Sequence, residues 1–250
     1  MAQVETEQHF FQVLPHQING ESFELTEAES HHFWRVLRLR EGATIWLLDG
    51  VGTAYRAVVE ELSAGRVRGR ILQRYPNYGE TAVPLHLGLG LLKRDRMEWA
   101  AEKATEAGVK SFTTLLLDRC VKRSFRRERL EKVVQAAAKQ CGRSVVPQIH
   151  ATRSLSQWLE SCSVGPSLVC TREAELTLRE WYRLTAPHST DLFVLIGPEG
   201  DFSPQEKALL SQSHVTAVQL GPRRLRSETA VITALTILND LIQNQGDHHG

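Results

Sequence analysis

The sequence has almost no excess of either charge. Its 250 residues carry 30 Lys and Arg against 29 Asp and Glu, a formal net charge of +1. No global field announces a nucleic-acid partner, so any case for one rests on local patches. Cysteine is scarce too. Cys120, Cys141, Cys162 and Cys170 are scattered, and no two form a Cys-x-x-Cys pair. That spacing argues against a zinc knuckle, and no metal is expected. Scattered thiols of this kind fit a reducing cytoplasm, where they stay buried or idle. Long apolar runs are missing as well. The longest, near Leu85–Leu92 and Ala230–Leu238, fall short of the roughly 20 residues of a bilayer span. The opening stretch MAQVETEQHFFQV has no basic head followed by an apolar segment. The expectation is a cytoplasmic protein that does not enter a membrane. The hydrophobic fraction of 42% and charged fraction of 24% are ordinary for a globular chain able to build a sizeable core.

Two patterns divide the chain. Up to about Tyr75 it is β-rich with one early helix. Thr26 and Glu29 have capping-box spacing, which predicts a helix from Glu27. Short alternating runs follow at Thr44–Leu48, Tyr55–Glu60 and Arg66–Leu72, with glycine turns between them, the pattern of a small barrel. Tyr75-Pro76-Asn77-Tyr78-Gly79 punctuates the chain. Beyond it strands and helices alternate: strand Leu85–Leu91, helix Arg96–Ala107, strand Val109–Leu117, helix Arg126–Cys141, strand Leu192–Ile196, a helix opened by Ser203-Pro204-Gln205-Glu206, strand Val215–Leu220 and helix Glu228–Ile242. The expected architecture is a β-barrel domain over residues 1–75 and an α/β domain over 80–245, with a mostly parallel sheet and helices on both faces. The last few residues, from Gly246, are expected to fray.

Five segments carry the chemistry. Gly197–Glu206 (GPEGDFSPQE) joins a buried strand to a capped helix, and ligands of open parallel sheets bind beyond such strand ends. Its glycines let the backbone turn sharply and approach a ligand. It is no phosphate loop, because no Gly-Lys-Ser/Thr follows. Leu220–Ala230 (LGPRRLRSETA) has the same placement and adds three arginines, suited to phosphate and planar polar groups. Glu228 sits in a first helical turn, where capping alone accounts for a carboxylate. In Lys93–Val109 four charged residues, Lys93-Arg94-Asp95-Arg96, stand at a helix start. Cations there oppose the helix dipole and suggest an external anion nearby. Arg119–Lys132 holds seven Lys or Arg, of which Arg119, Lys122 and Arg123 fall in a loop suited to phosphates. His31–Gly42 offers His31, His32, Arg35 and Arg38 for stacking and phosphate contacts, with Phe33, Trp34, Val36 and Leu37 as core.

In order along the chain, these segments and Gln140–Pro147 resemble the RsmE-type family of ribosomal RNA uridine N3-methyltransferases, of the SPOUT superfamily. The resemblance spans nearly the whole chain. It implies a PUA-like barrel before a knotted α/β domain, a homodimer, S-adenosylmethionine as cofactor, and 16S ribosomal RNA, in the assembled 30S subunit, as partner. Knots are rare, and periodicity alone never shows one. Carried over, Leu195, Ile196, Gly197, Pro198, Glu199, Gly200, Leu220, Gly221, Leu225, Arg226 and Thr229 hold the cofactor, while Arg226 and Glu228 lie near the reacting centre. His31, Arg35, Arg38, Lys93, Arg119, Arg123 and Arg143 contact RNA. The sequence departs from the family at Arg224, where an aliphatic residue is usual, at Lys139, where an acid is usual, and at Ala107, where leucine is usual.

The implied reaction is methyl transfer to N3 of the uridine that family numbering calls 1498. N3 is a poor nucleophile until its proton leaves. Arg226 is the candidate to stabilise the developing anion. Glu228 is the candidate proton acceptor, with a cap or a cofactor contact as its alternative roles. Two other functions compete: another SPOUT methyltransferase acting on a ribose or base of tRNA or rRNA, and a non-catalytic RNA-binding assembly factor.

Overall fold

The computed structural model describes residues 8–63, 65–162, 164–185 and 191–246; the tail beyond Gly246 and the first seven residues lie outside them. The chain divides into two compact units. One runs to Glu80 and takes in Ala138–Val146, and the other comprises Thr81–Ala137 and continues from Pro147.

The first unit contains β1 (Phe10–Gln12), β2 (Ile18–Asn19), β3 (Ser22–Glu24), α1 (Glu27–His31), β4 (Thr44–Leu48), β5 (Thr53–Ser63) and β6 (Arg66–Pro76). They form a six-stranded mixed sheet in the order β1-β4-β5-β6-β3-β2. Only β1 and β4 pair in parallel. Alternation along β6 explains its two faces: Val67 and Ile71 are buried, whereas Arg66, Arg68 and Arg70 point to solvent. Phe11, Phe33, Ile45, Leu47 and Val59 fill the core beneath the sheet. α1 starts where the capping spacing predicts, with Thr26 Oγ1 accepting from Glu29 N at 3.2 Å. The Glu29 carboxylate takes Lys139 Nζ at 2.6 and 2.7 Å, so the lysine that departs from the family pattern closes an ion pair inside this unit. After α1 the backbone continues as a π-helical turn, His32–Val36, and Arg38 adopts a left-handed φ of 54°.

Residues 142–146 are stitched into the same unit. Gly52 N donates to Ser144 O, Val146 N to Gly50 O and Ser144 N to Tyr78 O. Arg143 is 3% exposed and its guanidinium meets the Glu80 carboxylate, with Nη2 to Oε2 at 2.6 Å. Glu80 Oε1 also accepts from Val145 N at 2.9 Å. This corrects the sequence expectation for Arg143. Its charge is enclosed and neutralised from within, so it presents nothing to an RNA phosphate, and it belongs to the first unit rather than to the α/β unit.

The second unit contains β7 (Leu85–Gly90), α2 (Arg94–Glu106), β8 (Val109–Leu115), most of α3 (Arg127–Gln140), β9 (Gln148–Arg153), α4 (Leu155–Ser161), β10 (Ser167–Cys170), α5 (Leu178–Thr185), β11 (Leu192–Ile196), α6 (Pro204–Ser211), β12 (Thr216–Val218) and α7 (Ser227–Gly246). The strands make one parallel sheet, ordered β12-β10-β11-β7-β8-β9. All five residues of β11 are buried, as expected of a strand covered on both faces. The apolar face of α7, with Val231, Ala234, Leu235 and Leu238 at 0% exposure, is buried inside the unit. No helix among the described residues is long and apolar enough to cross a membrane.

A buried charge deprived of its partner is costly. Arg143→Ala is therefore expected to destabilise the protein by about 3 kcal/mol, read as a lowered urea midpoint, while leaving the salt dependence of RNA binding unchanged.

Candidate functional site

Parallel pairing brings two loops to one edge of the second sheet. Cys170 is level with Ile196 of β11 on one side and with Val218 of β12 on the other. The loop beginning at Gly197 and the loop following Val218 therefore leave the sheet at the same height, two strands apart, or about 10 Å. Between them lies a cavity of about 640 Å³, within the range of small-molecule sites.

The first loop, Gly197–Ser203, is held from below. Ser203 caps α6 with a full capping box: its Oγ accepts from Glu206 N, and Glu206 Oε2 accepts from Ser203 N at 2.8 Å. Glu206 Oε1 accepts from Asp118 N at 2.9 Å, and Ser203 Oγ donates to Asp118 Oδ2 at 2.6 Å. The segment after β8 is thus tied to the loop. Arg119 Nη1 donates to Gly200 O at 3.3 Å. A Cβ on Gly200 would stand 2.8 Å from the Arg119 carbonyl oxygen, so only glycine fits that approach. In the second loop Gly221 has a φ of 140°, which disfavours any side chain.

The cavity wall includes Ile196, Gly197, Pro198, Glu199 and Gly200 of the first loop, and Leu220, Gly221, Leu225 and Arg226 of the second. Leu195 lies in the sheet core and Thr229 is exposed in the first turn of α7; neither lines the cavity. Glu228 is 8% exposed and is not in the wall. Its Oε1 lies 3.5 Å from Arg96 Nε. Arg96 Nη1 in turn stands 3.2 Å from Glu199 Oε1. The anions that the cations at the start of α2 suggest are therefore supplied by the chain itself. Arg96 lines the cavity and is the functional residue that sequence reasoning left unassigned. Its signal was the charge conflict at a helix start. Thr171, Arg172, Glu173, Arg223 and Arg224 also line the cavity, and the part after β10 had no sequence signal.

Of the residues expected to meet RNA, Lys93, Arg119 and Arg123 are exposed on the second unit, and Arg119 reaches the cavity wall. His31, Arg35 and Arg38 are exposed on the first unit. There the Arg35 guanidinium lies 4.3 Å from the centre of the Trp34 ring.

Comparison with known proteins decides the family. A model described as the RNA methyltransferase domain matches residues 79–239, and one described as the RNA methyltransferase PUA domain matches residues 25–72. The ribosomal RNA small subunit methyltransferase E of Mycobacterium bovis is 34% identical over 83% of this chain and 82% of its own length. The chain belongs to the ribosomal RNA small subunit methyltransferase E family. Another member, from Synechocystis, is 30% identical over 93% of this chain and 77% of its own. A crystal structure of the Neisseria gonorrhoeae member bound to S-adenosyl methionine superposes with a TM-score of 0.83 at 27% identity, covering 94% of this chain and 98% of that one. The fold is accordingly that of SPOUT methyltransferases with an N-terminal PUA-like domain.

The four cysteines of this family member form no disulfide among the described residues. Burial pushes Cys120 and Cys162 upward, and pushes Cys170, in the cavity wall, up to about 12. Since the thiolate is the reactive form, these three stay protonated well above neutral pH. Cys141 is the exposed thiol. A thiol titration of the native protein at pH 8 is expected to show one fast-reacting group, lost in Cys141→Ser, a slow one at the part-buried Cys170, and Cys120 and Cys162 only after unfolding. Fast reaction at Cys170 would contradict its protonated state.

Proposed function

We propose that this chain methylates N3 of a uridine in 16S ribosomal RNA, the position that family numbering calls 1498, using S-adenosylmethionine in the cavity between the two loops. The observation that carries the reading is the convergence of two glycine turns on one cavity in a member of this family, with Glu199 and Arg96 in its wall and the buried Glu228 behind Arg96. The residues present fit the cofactor. Ile196, Leu220, Leu225 and Ala230 give an apolar wall for a flat base, the glycines allow close backbone approach, and Glu199 adds a carboxylate for a hydrogen-bond donor. We take the two loops to be the knotted segments that the family resemblance implies.

When bound, S-adenosylmethionine supplies a methyl carbon on a sulfonium sulfur that keeps the bonding pair and leaves as a neutral thioether. The protein has two tasks. Glu228 accepts the N3 proton of uracil, so that the N3 electron pair is free to take the methyl carbon. Arg226, exposed at the cavity wall, donates to the uracil oxygen on which the negative charge spreads. Holding base and methyl group in line accounts for much of the remaining rate, and the target base has to leave any stack to enter the cavity. Arg35 and Arg38 on the first unit, with Lys93, Arg119 and Arg123 on the second, contact phosphates of the RNA. His31 stacks or hydrogen-bonds beside Arg35. The substrate is the assembled 30S subunit, and the enzyme works in the cytoplasm as a homodimer.

Arg226→Ala is expected to lower the single-turnover methylation rate on 30S subunits by about 100- to 1000-fold, with cofactor affinity kept and Arg226→Lys recovering only part. Glu228→Gln should fold, bind cofactor and react slowly, gaining rate as pH rises toward the range where uridine ionises unaided. Parental rates in both Arg226→Ala and Glu228→Gln would remove both assignments, and rRNA mass spectrometry showing the methyl group elsewhere would remove the substrate.

Alanine at Arg38, Arg119 or Arg123 should flatten the plot of log affinity for RNA against log salt by about one unit each. An unchanged slope would mean that the side chain is only solvated.

A further inference from the structure

We propose that Arg96 is the positioning residue of the methyl-transfer site. It holds Glu199 and Glu228 by one oxygen each and leaves the other oxygen to accept a hydrogen from a bound ligand, in the case of Glu228 the N3–H of the target pyrimidine. The last clause rests on the reading that Glu228 is the proton acceptor.

The geometry is specific about which oxygens are engaged. Arg96 Nη1 reaches Glu199 Oε1 at 3.2 Å, and Arg96 Nε lies 3.5 Å from Glu228 Oε1. Lys93 N, at the start of the same helix, also points at Glu199 Oε1, at 3.4 Å. Everything from α2 falls on the two Oε1 atoms. The two Oε2 atoms are buried and have no hydrogen-bond partner among the described residues. A buried carboxylate oxygen without a donor is costly, and two of them around one guanidinium mark places where a donor is missing. The cluster carries two negative charges against one positive, so it favours a ligand that brings an N–H or O–H.

Three separate segments meet here. Arg96 is in the first turn of α2, Glu199 is in the loop after β11, and Glu228 is in the first turn of α7. A cation in the first turn of a helix opposes its dipole; the two acids offset that conflict. One forked side chain thereby ties the first loop to the start of α7 and sets the rotation of the Glu228 carboxylate. The fork matters, because a lysine offers a point charge in place of two donors in fixed geometry.

The test is a double-mutant cycle on the full-length protein with 30S subunits and S-adenosylmethionine. Arg96→Ala is expected to slow single-turnover methylation by about 100-fold, the cost of misplacing a reacting group. The KM for 30S subunits should stay within about threefold, the calorimetric cofactor affinity should fall by much less than the rate, through Glu199, and Arg96→Lys should recover part of the rate. If Arg96 acts through Glu228, Arg96→Ala/Glu228→Gln is no slower than the slower single variant. Multiplying losses, or cofactor affinity falling in step with the rate, would overturn the proposal. A slow Glu228→Gln beside a parental Arg96→Ala would overturn the positioning role and leave the base standing. A parental Glu228→Gln would remove the base, and with it the positioning role. Should circular dichroism show Arg96→Ala unfolded, Arg96→Lys takes its place in the same cycle, with the same outcomes deciding.

Discussion

The register of a four-residue strand governs the catalytic unit. β10 lies between β11 and β12, and its last residue is level with the last residue of each neighbour. In a parallel sheet all strands end at one edge, and hydrogen bonding fixes how far apart those ends lie. The two ligand loops start from that common level, so their separation follows from backbone pairing rather than from loop sequence. A one-residue change in the register of β10 with only one of its neighbours would stagger the loops by about 3.3 Å and put the paired side chains on opposite faces. The glycines and caps of the loops act on top of this spacing. They decide how closely the loops approach the cavity, once the sheet has decided where the loops begin.

Charge in the cavity is sorted by depth of burial. Glu199 and Glu228 have side-chain exposures of 18% and 11% and share Arg96. Arg172, Arg223, Arg224 and Arg226 are exposed around the wall. Enclosed carboxylates act through short contacts in a medium where charge is poorly screened. Exposed arginines act over longer range and weaken with salt. Methylation of a polyanion calls for both behaviours, an acceptor near the reacting nitrogen and a positive rim that tolerates phosphates. Arg224, one of the three departures from the family pattern, adds to the rim and leaves the enclosed group untouched.

What was readable in the sequence were features with local causes. Thr26 and Ser203 start helices through their own side chains. Thr44–Leu48 and Leu192–Ile196 are strands with the bounds that their apolar patterns suggest. Both ligand loops were visible because glycine, proline and a helix cap fall within a few residues. The stretch from Gln148 to Thr185 was not readable. β10 is too short for a period, and its importance comes from strands 20 to 50 residues further on. Arg143 and Arg119 show why charge alone does not place a residue: each is an arginine near other basic residues, yet Glu80, 63 positions back, encloses one of them. Arg96 stood between these cases. The conflict at the start of α2 was legible, but its resolution by Glu199 and Glu228 needed the fold.

The assignment of residues 138–146 to the first unit has a consequence for how the protein is made. Synthesis is vectorial, at about 5–20 residues per second. The strands Phe10–Gln12 to Arg66–Pro76 emerge as a block, but Glu80 meets Arg143 only after the intervening chain has been translated. For roughly three to thirteen seconds at that rate, the growing chain carries a sheet whose closing segment does not yet exist. During that interval the Glu80 carboxylate lacks its counter-charge, and the edge that Val145 later covers at Val51 is open. The unit whose synthesis starts first therefore cannot finish folding until β7, α2, β8 and most of α3, which belong to the other unit, have been made as well.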